Sequence, residues 1–483
     1  MKRFANNELL QQMRFVADPL ADTTIATILG EDFADTGKQF SDRGHKIDCV
    51  NRQFSTWRNN QCIQTWDSDD PTLSEPLKVA LQSYLKSGSK LPAWANTEKI
   101  NRAEALFMEH GPLSCILLFC ASLPECYVVP DLSAVLHVAG QLETRTDHRI
   151  RSTAAMIFPV MMESGMKEAS DGGSGIAQIL KVRLIHATIR HLILRGDPEA
   201  AIQSFKDQGA LKSAGVIPRG VAENPLDMKQ ALFANGWRIG EDGLPCNQEE
   251  LVYTLLTFGY VFLRSMRRLG IGLPASDEEA YLHLWNVVGY VLGIREELMP
   301  HTMDEAKQIF EQIQARAHKH QIEPDPRPHL GNALMASMEK AIPINLFKHF
   351  PVLMTRYLCG TRQADKIGVA SRAPWWSRIF FWGLISICRV IDVTMRKIDP
   401  HFALSRLFVR TLGYHLMSKL LLDQTRPLNL PDHLNDHVNN TVATWGHDPK
   451  ASKRMNQLED KFTTKSHWMN AQRSMDENQV RGK

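Results

Sequence analysis

Several common features are missing from the sequence. The eight cysteines form no CxxC pair, which removes the usual zinc and thioredoxin-type sites, and no CxxCH is present for covalent attachment of c-type haem. No stretch reaches the roughly 18 apolar residues that a membrane-spanning helix needs. The first twenty residues lack the apolar core of a signal peptide. We therefore expect an intracellular, cytoplasmic chain with reduced and mostly buried thiols.

A strong charge of either sign is also missing. The 483 residues include 56 Lys and Arg against 53 Asp and Glu, a formal net charge of +3. Acids and bases are interspersed, so no polyanion-sized basic face is predicted and nucleic acid is excluded as a partner. With 43% hydrophobic residues, the chain can form a core.

Strand-type alternation is scarce, whereas apolar residues recur at three- and four-residue steps nearly everywhere. Residues 249–270 predict one helix with acids first, bases last and Gly270 as a C-terminal cap. Residues 276–294 predict another helix with Ser276 as its N-cap. The fold class is therefore all-α, a large multi-helix globular bundle.

Composition divides the chain into three parts. Residues 1–85 are of mixed character and are interpreted as an N-terminal helical extension. Residues 86–435 form the main helical domain, and residues 436–483 are polar and are interpreted as a mobile tail.

The most apolar stretch, residues 379–388, leaves two interpretations open. It has an arginine on either side and two tryptophans ahead of it. It is either a core helix or a helix that lies in a membrane interface over residues 375–393, with aromatic and basic side chains at headgroup level.

A polar stripe interrupts the apolar helix "KVRLIHATIRHLIL" (181–194). Arg183, His186 and Arg190 are related by i+3 and i+4 steps and share one face, while His191 points elsewhere. Guanidinium groups cannot be buried without counter-charge. Either the arginines pair with glutamates of neighbouring helices and His186 bonds a backbone carbonyl, or the stripe holds haem, with propionates at the arginines and iron at His186.

A second polar cluster lies in residues 141–162. If a helix begins near Thr146, Arg149 and Thr153 are one turn apart on one face. A guanidinium and a hydroxyl in that arrangement could hydrogen-bond a polar ligand above a metal, or they could belong to an exposed first turn. Other nearby histidines are interpreted as structural.

An ordered succession of segments between residues 90 and 430 is similar to the haem oxygenase family typified by bacterial latex-clearing proteins and the fungal oxygenase of mycophenolic acid biosynthesis. The segments are "LPAWAN" (91–96), "LFCASLPECYVVPD" (118–131), "RIRST" (149–153), "VRLIHATIRH" (182–191), "GLPCNQEELVYTLLTFGYVFLRSMRRLG" (243–270), "AYLHLWNVVGYVLGIREELMP" (280–300) and, more weakly, "RPLNLP" (426–431).

The resemblance implies an all-α fold that encloses a noncovalent b-type haem, and O₂-dependent attack on a hydrophobic substrate. By position, His186 resembles the proximal iron ligand and Arg183 and Arg190 resemble its flanking arginines. Arg149 and Thr153 resemble the distal-side catalytic pair. The resemblance favours haem over simple ion pairing at the stripe.

Two positions depart from the family pattern. Latex-clearing proteins carry a lysine just before the distal threonine that can close the sixth coordination position, where this chain has Ser152. Their proposed catalytic glutamate has no clear equivalent here, Glu143 being the nearest acid. These departures favour a smaller isoprenoid or lipid-like substrate over polyisoprene.

The predicted function is therefore that of a haem b-dependent oxygenase that uses O₂, a hydrophobic substrate and an unidentified electron donor. The alternative is a haem- or lipid-binding protein of the same fold that performs no catalysis.

Overall fold

The structure of the chain is a computed structural model. It describes residues 6–30, 37–140, 146–207, 216–217, 228–319, 325–342, 345–369, 373–395, 397 and 457. The predicted tail therefore lies almost entirely outside the described residues, and so does the boundary at residue 435.

The described chain is built almost wholly from α-helices, which confirms the predicted all-α class. The first eleven are α1 (Asn7–Met13), α2 (Pro19–Leu29), α3 (Gly37–Gln53), α4 (Glu75–Gly88), α5 (Thr97–His110), α6 (Pro112–Leu117), α7 (Leu123–Cys126), α8 (Pro130–Gly140), α9 (Thr146–Met161), α10 (Gly175–Leu194) and α11 (Pro198–Asp207). The others are α12 (Met228–Ala234), α13 (Ile239–Asp242), α14 (Gln248–Phe258), α15 (Tyr260–Arg268), α16 (Ala275–Val291), α17 (Met303–Ala317), α18 (Arg327–Ala341), α19 (Phe350–Cys359), α20 (Thr361–Lys366) and α21 (Trp375–Met395).

Other regular structure in the described ranges is short. A π-helical turn, Leu118–Ser122, joins α6 to α7, and 3₁₀ turns lie at Glu296–Leu298 and Asn345–Phe347. Strands β1 (Val216–Ile217) and β2 (Trp237–Arg238) form a two-residue antiparallel pair.

Two local predictions were wrong. The helix predicted over residues 249–270 is divided at Gly259 into α14 and α15, where a Cβ would lie 3.3 Å from the Cβ of Trp285. The interruption therefore lies at a close contact with α16, which apolar spacing does not encode. Helix α16 begins at Ala275, so its N-cap is Pro274 and Ser276 lies inside the first turn.

The N-terminal helices are part of the main body. Buried apolar side chains form one cluster that extends from Leu10 in α1 to Ile385 in α21. Helix α2 packs against both α4 and α10, and α10 packs against α9. The described residues of the segment predicted as an extension, residues 1–85, thus supply one wall of the core around α10.

Helix α21 is buried on one side only. Phe381 is fully buried, with its ring 5.3 Å from that of Phe350, whereas Trp375 is 73% exposed. The core-helix interpretation therefore describes one face of α21, and the membrane interpretation stays a prediction. Among the described helices, none is by itself both long and apolar enough to cross a bilayer, while Thr97–His110 and Pro112–Cys126, bent by 90°, meet the criteria as a pair.

Candidate functional site

The imidazole of His186 lies in the middle of α10 and is unusually short of polar contacts. The ring is half-buried, and its Nδ1 is enclosed with no hydrogen-bond partner in the described part of the chain. Burial, together with the positive charge of Arg190, lowers the pKa of His186 to about 4. The imidazole is therefore neutral at physiological pH, which is the form that binds metal ions.

The surroundings of His186 on α10 are apolar and incompletely covered. Ile185 is 37% exposed, Val182 is half-buried and Ile189 is buried. A carbonyl partner for His186, as the ion-pair interpretation expected, is not found among the described residues. The helix thus offers an unpaired neutral ligand within a partly open apolar stripe.

Arg183 forms a buried ion pair with Asp18, the residue that precedes α2. Its Nε and Nη2 donate to the two carboxylate oxygens at 2.5 and 2.6 Å, and its Nη1 donates to the carbonyl of Val291 at 2.9 Å. Gly293 has a φ of +90°, and a Cβ there would lie 2.5 Å from Asp18 Oδ2. A glycine is therefore required where the chain passes this pair.

Arg190 is paired in the same way, one turn further along α2. Its Nε donates to Asp22 Oδ1 at 3.1 Å, and its Nη1 donates to the carbonyl of Cys246 at 2.8 Å. Cys246 has a left-handed φ of 51°, which contributes local strain just before α14. His191, fully buried, lies 3.5 Å from the same Asp22 carboxylate.

The charges on this face of α10 are balanced within the protein. Burial alone would raise the pKa of Asp22, but Arg190 and His191 outweigh it, and the pKa lies below its ordinary value. The ion-pair interpretation is thus realised with aspartates of the N-terminal segment rather than with glutamates. Neither arginine needs a bound anion as counter-charge, and contact of Arg183 and Arg190 with haem propionates stays a prediction.

The predicted distal residues lie on α9, which begins at Thr146 as expected. Thr153 is half-buried on this helix, which packs against α10. The side chains of Arg149 and Ser152 are outside the described set, as is Glu143. The helices that carry Thr153 and His186 are therefore in contact. The distal-side role of Arg149 and Thr153 remains a prediction.

One asparagine fastens the connection between α9 and α10. Asn60 is fully buried, and its side-chain amide donates to the carbonyls of Gly165 and Lys167, both at 2.9 Å. Its Oδ1 accepts from the backbone N–H of Ala177 at 3.2 Å, and its own N–H donates to the carbonyl of Gly173 at 2.8 Å. Four hydrogen bonds from one residue fix how α10 follows α9.

Glu104 of α5 holds the same connection from the other side. Its carboxylate accepts from the backbone N–H of Ser164 at 3.0 Å and of Met166 at 3.3 Å. Burial, with a smaller contribution from Glu163, raises the pKa of Glu104 to about 7 although three backbone donors oppose the shift. Glu104 also lines a cavity of about 910 Å³ that is bounded by α5 and the connection.

Sequence reasoning missed a buried acidic cluster at the start of α14. Glu250 is buried, and neither of its carboxylate oxygens has a hydrogen-bond partner among the described residues. Burial and the nearby Asp131 and Glu249 raise its pKa well above the ordinary value. Arg316 donates to both neighbours, at 3.1 Å to each of Asp131 and Glu249. Glu250 therefore holds its proton more tightly than an exposed carboxyl group does, and its position in an apolar helix offered no signal for this.

Two cavities of the structure lie away from His186. A second cavity, of about 510 Å³, lies between α2 and α11 and includes Asp22 in its wall. His186 lines neither this cavity nor the one at Glu104. Within the described ranges, no three His, Cys, Asp or Glu side chains are grouped to hold a metal ion. Haem needs a single side-chain ligand, so this finding leaves the interpretation of His186 unchanged.

The fold and the site define an all-α protein in which a central helix carries the neutral imidazole of His186, whose Nδ1 has no partner among the described residues. A family described as "ER-bound oxygenase mpaB/B'/Rubber oxygenase, catalytic domain" matches residues 230–413. "Rubber oxygenase" of Streptomyces sp. (strain K30) is 22% identical over 314 residues, which cover 65% of this chain and 66% of that protein, just under two thirds of its length.

A solved structure has the same fold. The structure of latex clearing protein LCP in the closed state matches with a TM-score of 0.55 at 18% identity, over 90% of each chain. The chain is similar to latex-clearing proteins and rubber oxygenases, as the sequence segments predicted.

Proposed function

We propose that this protein is a haem b-dependent oxygenase that acts on a hydrophobic, isoprenoid or lipid-like substrate, with His186 as the only protein ligand of the iron. The observation that carries the proposal is the enclosed Nδ1 of His186, which has no partner among the described residues. A buried polar atom without a partner is costly, so such atoms concentrate where a ligand binds.

The residues present fit a b-type haem. The group needs one axial side chain and apolar surroundings. The imidazole of His186 is already neutral, so it does not have to release a proton before it binds iron. Beside it, Val182 and Ile185 present apolar surface that is partly exposed. When bound, haem supplies the iron-based redox chemistry that allows O₂ to react with an alkene or a C–H bond.

The chain itself contributes position and hydrogen bonds. The pairs of Arg183 with Asp18 and of Arg190 with Asp22 hold α10 against α2, so the orientation of His186 is fixed before any ligand binds. Thr153 and Arg149 are proposed as the distal hydrogen-bonding groups. The match of residues 230–413 to the model of an oxygenase family supports the reaction class.

Hemin titration of the purified full-length chain tests the ligand. We expect a Soret band at one hemin per chain, and a lost or shifted band in His186→Ala because the axial nitrogen is gone. His186→Gly with added imidazole should recover the wild-type spectrum. His283→Ala, which removes a half-buried histidine on α16, is the control and should bind hemin as wild type does. Unchanged affinity and spectrum in His186→Ala would overturn the assignment.

Turnover is tested separately. With reductant and a candidate isoprenoid or fatty-acyl substrate, the holoprotein should consume O₂ and form an oxygenated product, and His186→Ala should not. A haem-loaded chain that consumes no O₂ with any substrate would favour the non-catalytic binding protein.

A further inference from the structure

Helix α21 exposes a stripe of apolar side chains, while two of its polar side chains are buried. Ser377 and Asp392 are buried, at 0% and 3% exposure. Its exposed large apolar side chains, here called the outer face, are Trp375 (73%), Trp376 (42%), Ile379 (65%), Trp382 (49%), Ile387 (58%), Val390 (66%) and Val393 (64%). Steps of three and four residues relate most of them, so they form one stripe. A stripe of this kind marks an interaction surface.

The opposite side of α21 is fixed to the protein body. The ring of Phe381 lies 5.3 Å from Phe350, and that of Phe380 lies 5.9 Å from Phe347. The helix has 21 residues and is about 31 Å long at 1.5 Å per residue. Because one side is held against protein, an apolar phase can reach only the outer face. The helix can therefore lie along a surface but cannot be surrounded by it.

The charges around the outer face favour an anionic partner. Lys397 is exposed beyond the C-terminal end of α21, and Lys348 is exposed next to Phe347, which packs beneath the helix. Asp392, the only acid in α21, is buried. Tryptophans flanked by cations are the residues that bind at the headgroup level of a bilayer.

The same charges disfavour a second copy of the chain as the occupant. Antiparallel pairing of two α21 helices would place the Lys348 region of one copy beside the Lys397 end of the other. Parallel pairing would place each of these cations beside its equivalent. Either arrangement juxtaposes like charges at the edge of an apolar contact, which disfavours self-association.

We propose that the outer face of α21 docks, in the plane of the membrane, at the interface of a bilayer that contains anionic phospholipid. The proposal does not depend on haem or on turnover. It would bring the body of the protein to the phase in which isoprenoid and acyl substrates are dissolved.

Co-sedimentation with sucrose-loaded vesicles tests the proposal. The full-length chain should bind vesicles of phosphatidylcholine and phosphatidylglycerol (3:1) more strongly than pure phosphatidylcholine vesicles, and less strongly at high salt. The double variant I379D/V390D should lower the partition coefficient about tenfold or more, because carboxylates would enter an apolar phase. Val79→Asp is the matched control, since Val79 is an apolar residue of α4 that is 52% exposed. It should bind vesicles as wild type does.

Three results would overturn the proposal. In the first, the wild-type chain, shown by circular dichroism to be folded, binds neither kind of vesicle. The second is a dimer in analytical ultracentrifugation that I379D/V390D dissociates, with no lipid binding, which would identify a second copy as the occupant. The third is equal loss of binding in Val79→Asp and I379D/V390D. Hemin binding by His186 is unaffected by any of these outcomes, so the two proposals fail independently.

Discussion

Glu104 offers a quantitative test of how the connection between α9 and α10 is held. Its pKa in the folded protein is raised from 4.5 to about 7, mainly by burial. For an acid with a raised folded-state pKa, the folded chain holds the proton more tightly than the unfolded chain. The resulting stability is complete below the unfolded pKa and is lost as pH rises towards the folded pKa.

The magnitude follows from the difference between the two pKa values. At 1.36 kcal/mol per unit, a rise from 4.5 to about 7 corresponds to about 3 kcal/mol in all, of which about 2.5 kcal/mol falls between pH 5 and pH 8. Glu104→Gln abolishes the titration but keeps only one oxygen for the backbone N–H groups of Ser164 and Met166. Loss of one hydrogen bond costs about 1 kcal/mol.

The variant should therefore be less stable than wild type at pH 5 and more stable at pH 8. Urea unfolding followed by circular dichroism at the two pH values measures both free energies of unfolding. Glu98→Gln, an exposed position in the first turn of the same helix, is the control and should shift both values by a similar small amount. Parallel pH dependence of wild type and Glu104→Gln would refute the reasoning.

Two further predictions concern the pairing of α10 with α2. Asp18→Asn leaves the Arg183 guanidinium buried without counter-charge. The free energy of unfolding, measured by urea titration, should fall by about 3–5 kcal/mol. A loss below about 1 kcal/mol would mean that the pair contributes little. Gly293→Ala would place a Cβ 2.5 Å from Asp18 at a positive φ and should cost about 2 kcal/mol or more, whereas Gly272→Ala, with no atom within 4 Å, should change the melting temperature little. Equal melting temperatures for the two glycine variants would contradict the close approach.

Local patterns in the sequence predicted the elements of the site well. Spacing alone identified α10 and the start of α9, because a helix exposes its period within a few residues. Contacts between distant segments were not predictable. Asp18 and Arg183 are 165 positions apart, and Asn60 bonds groups more than 100 positions away. Nothing in the local sequence around Asp18 or Asn60 distinguishes them from ordinary capping and turn residues.

The division of the predicted helix at Gly259 has the same origin. Its apolar period continues across the break, so the sequence predicts one helix. The glycine is needed because Trp285 of α16 packs within 3.3 Å of where a side chain would begin. A helix interruption that depends on contact with a neighbouring helix can be recognised only when the position of that neighbour is known.

The polar stripe shows where sequence reasoning reaches its limit in function. Burial of Arg183 and Arg190 requires counter-charge, but the requirement is met equally by a protein carboxylate and by a ligand. The structure meets it with Asp18 and Asp22, so the two arginines no longer argue for an anionic ligand. Among the described residues, the Nδ1 of His186 has no partner on this stripe. The argument for a cofactor therefore rests on the imidazole of His186. Hemin binding by His186→Gly, measured with and without added imidazole, is the decisive test.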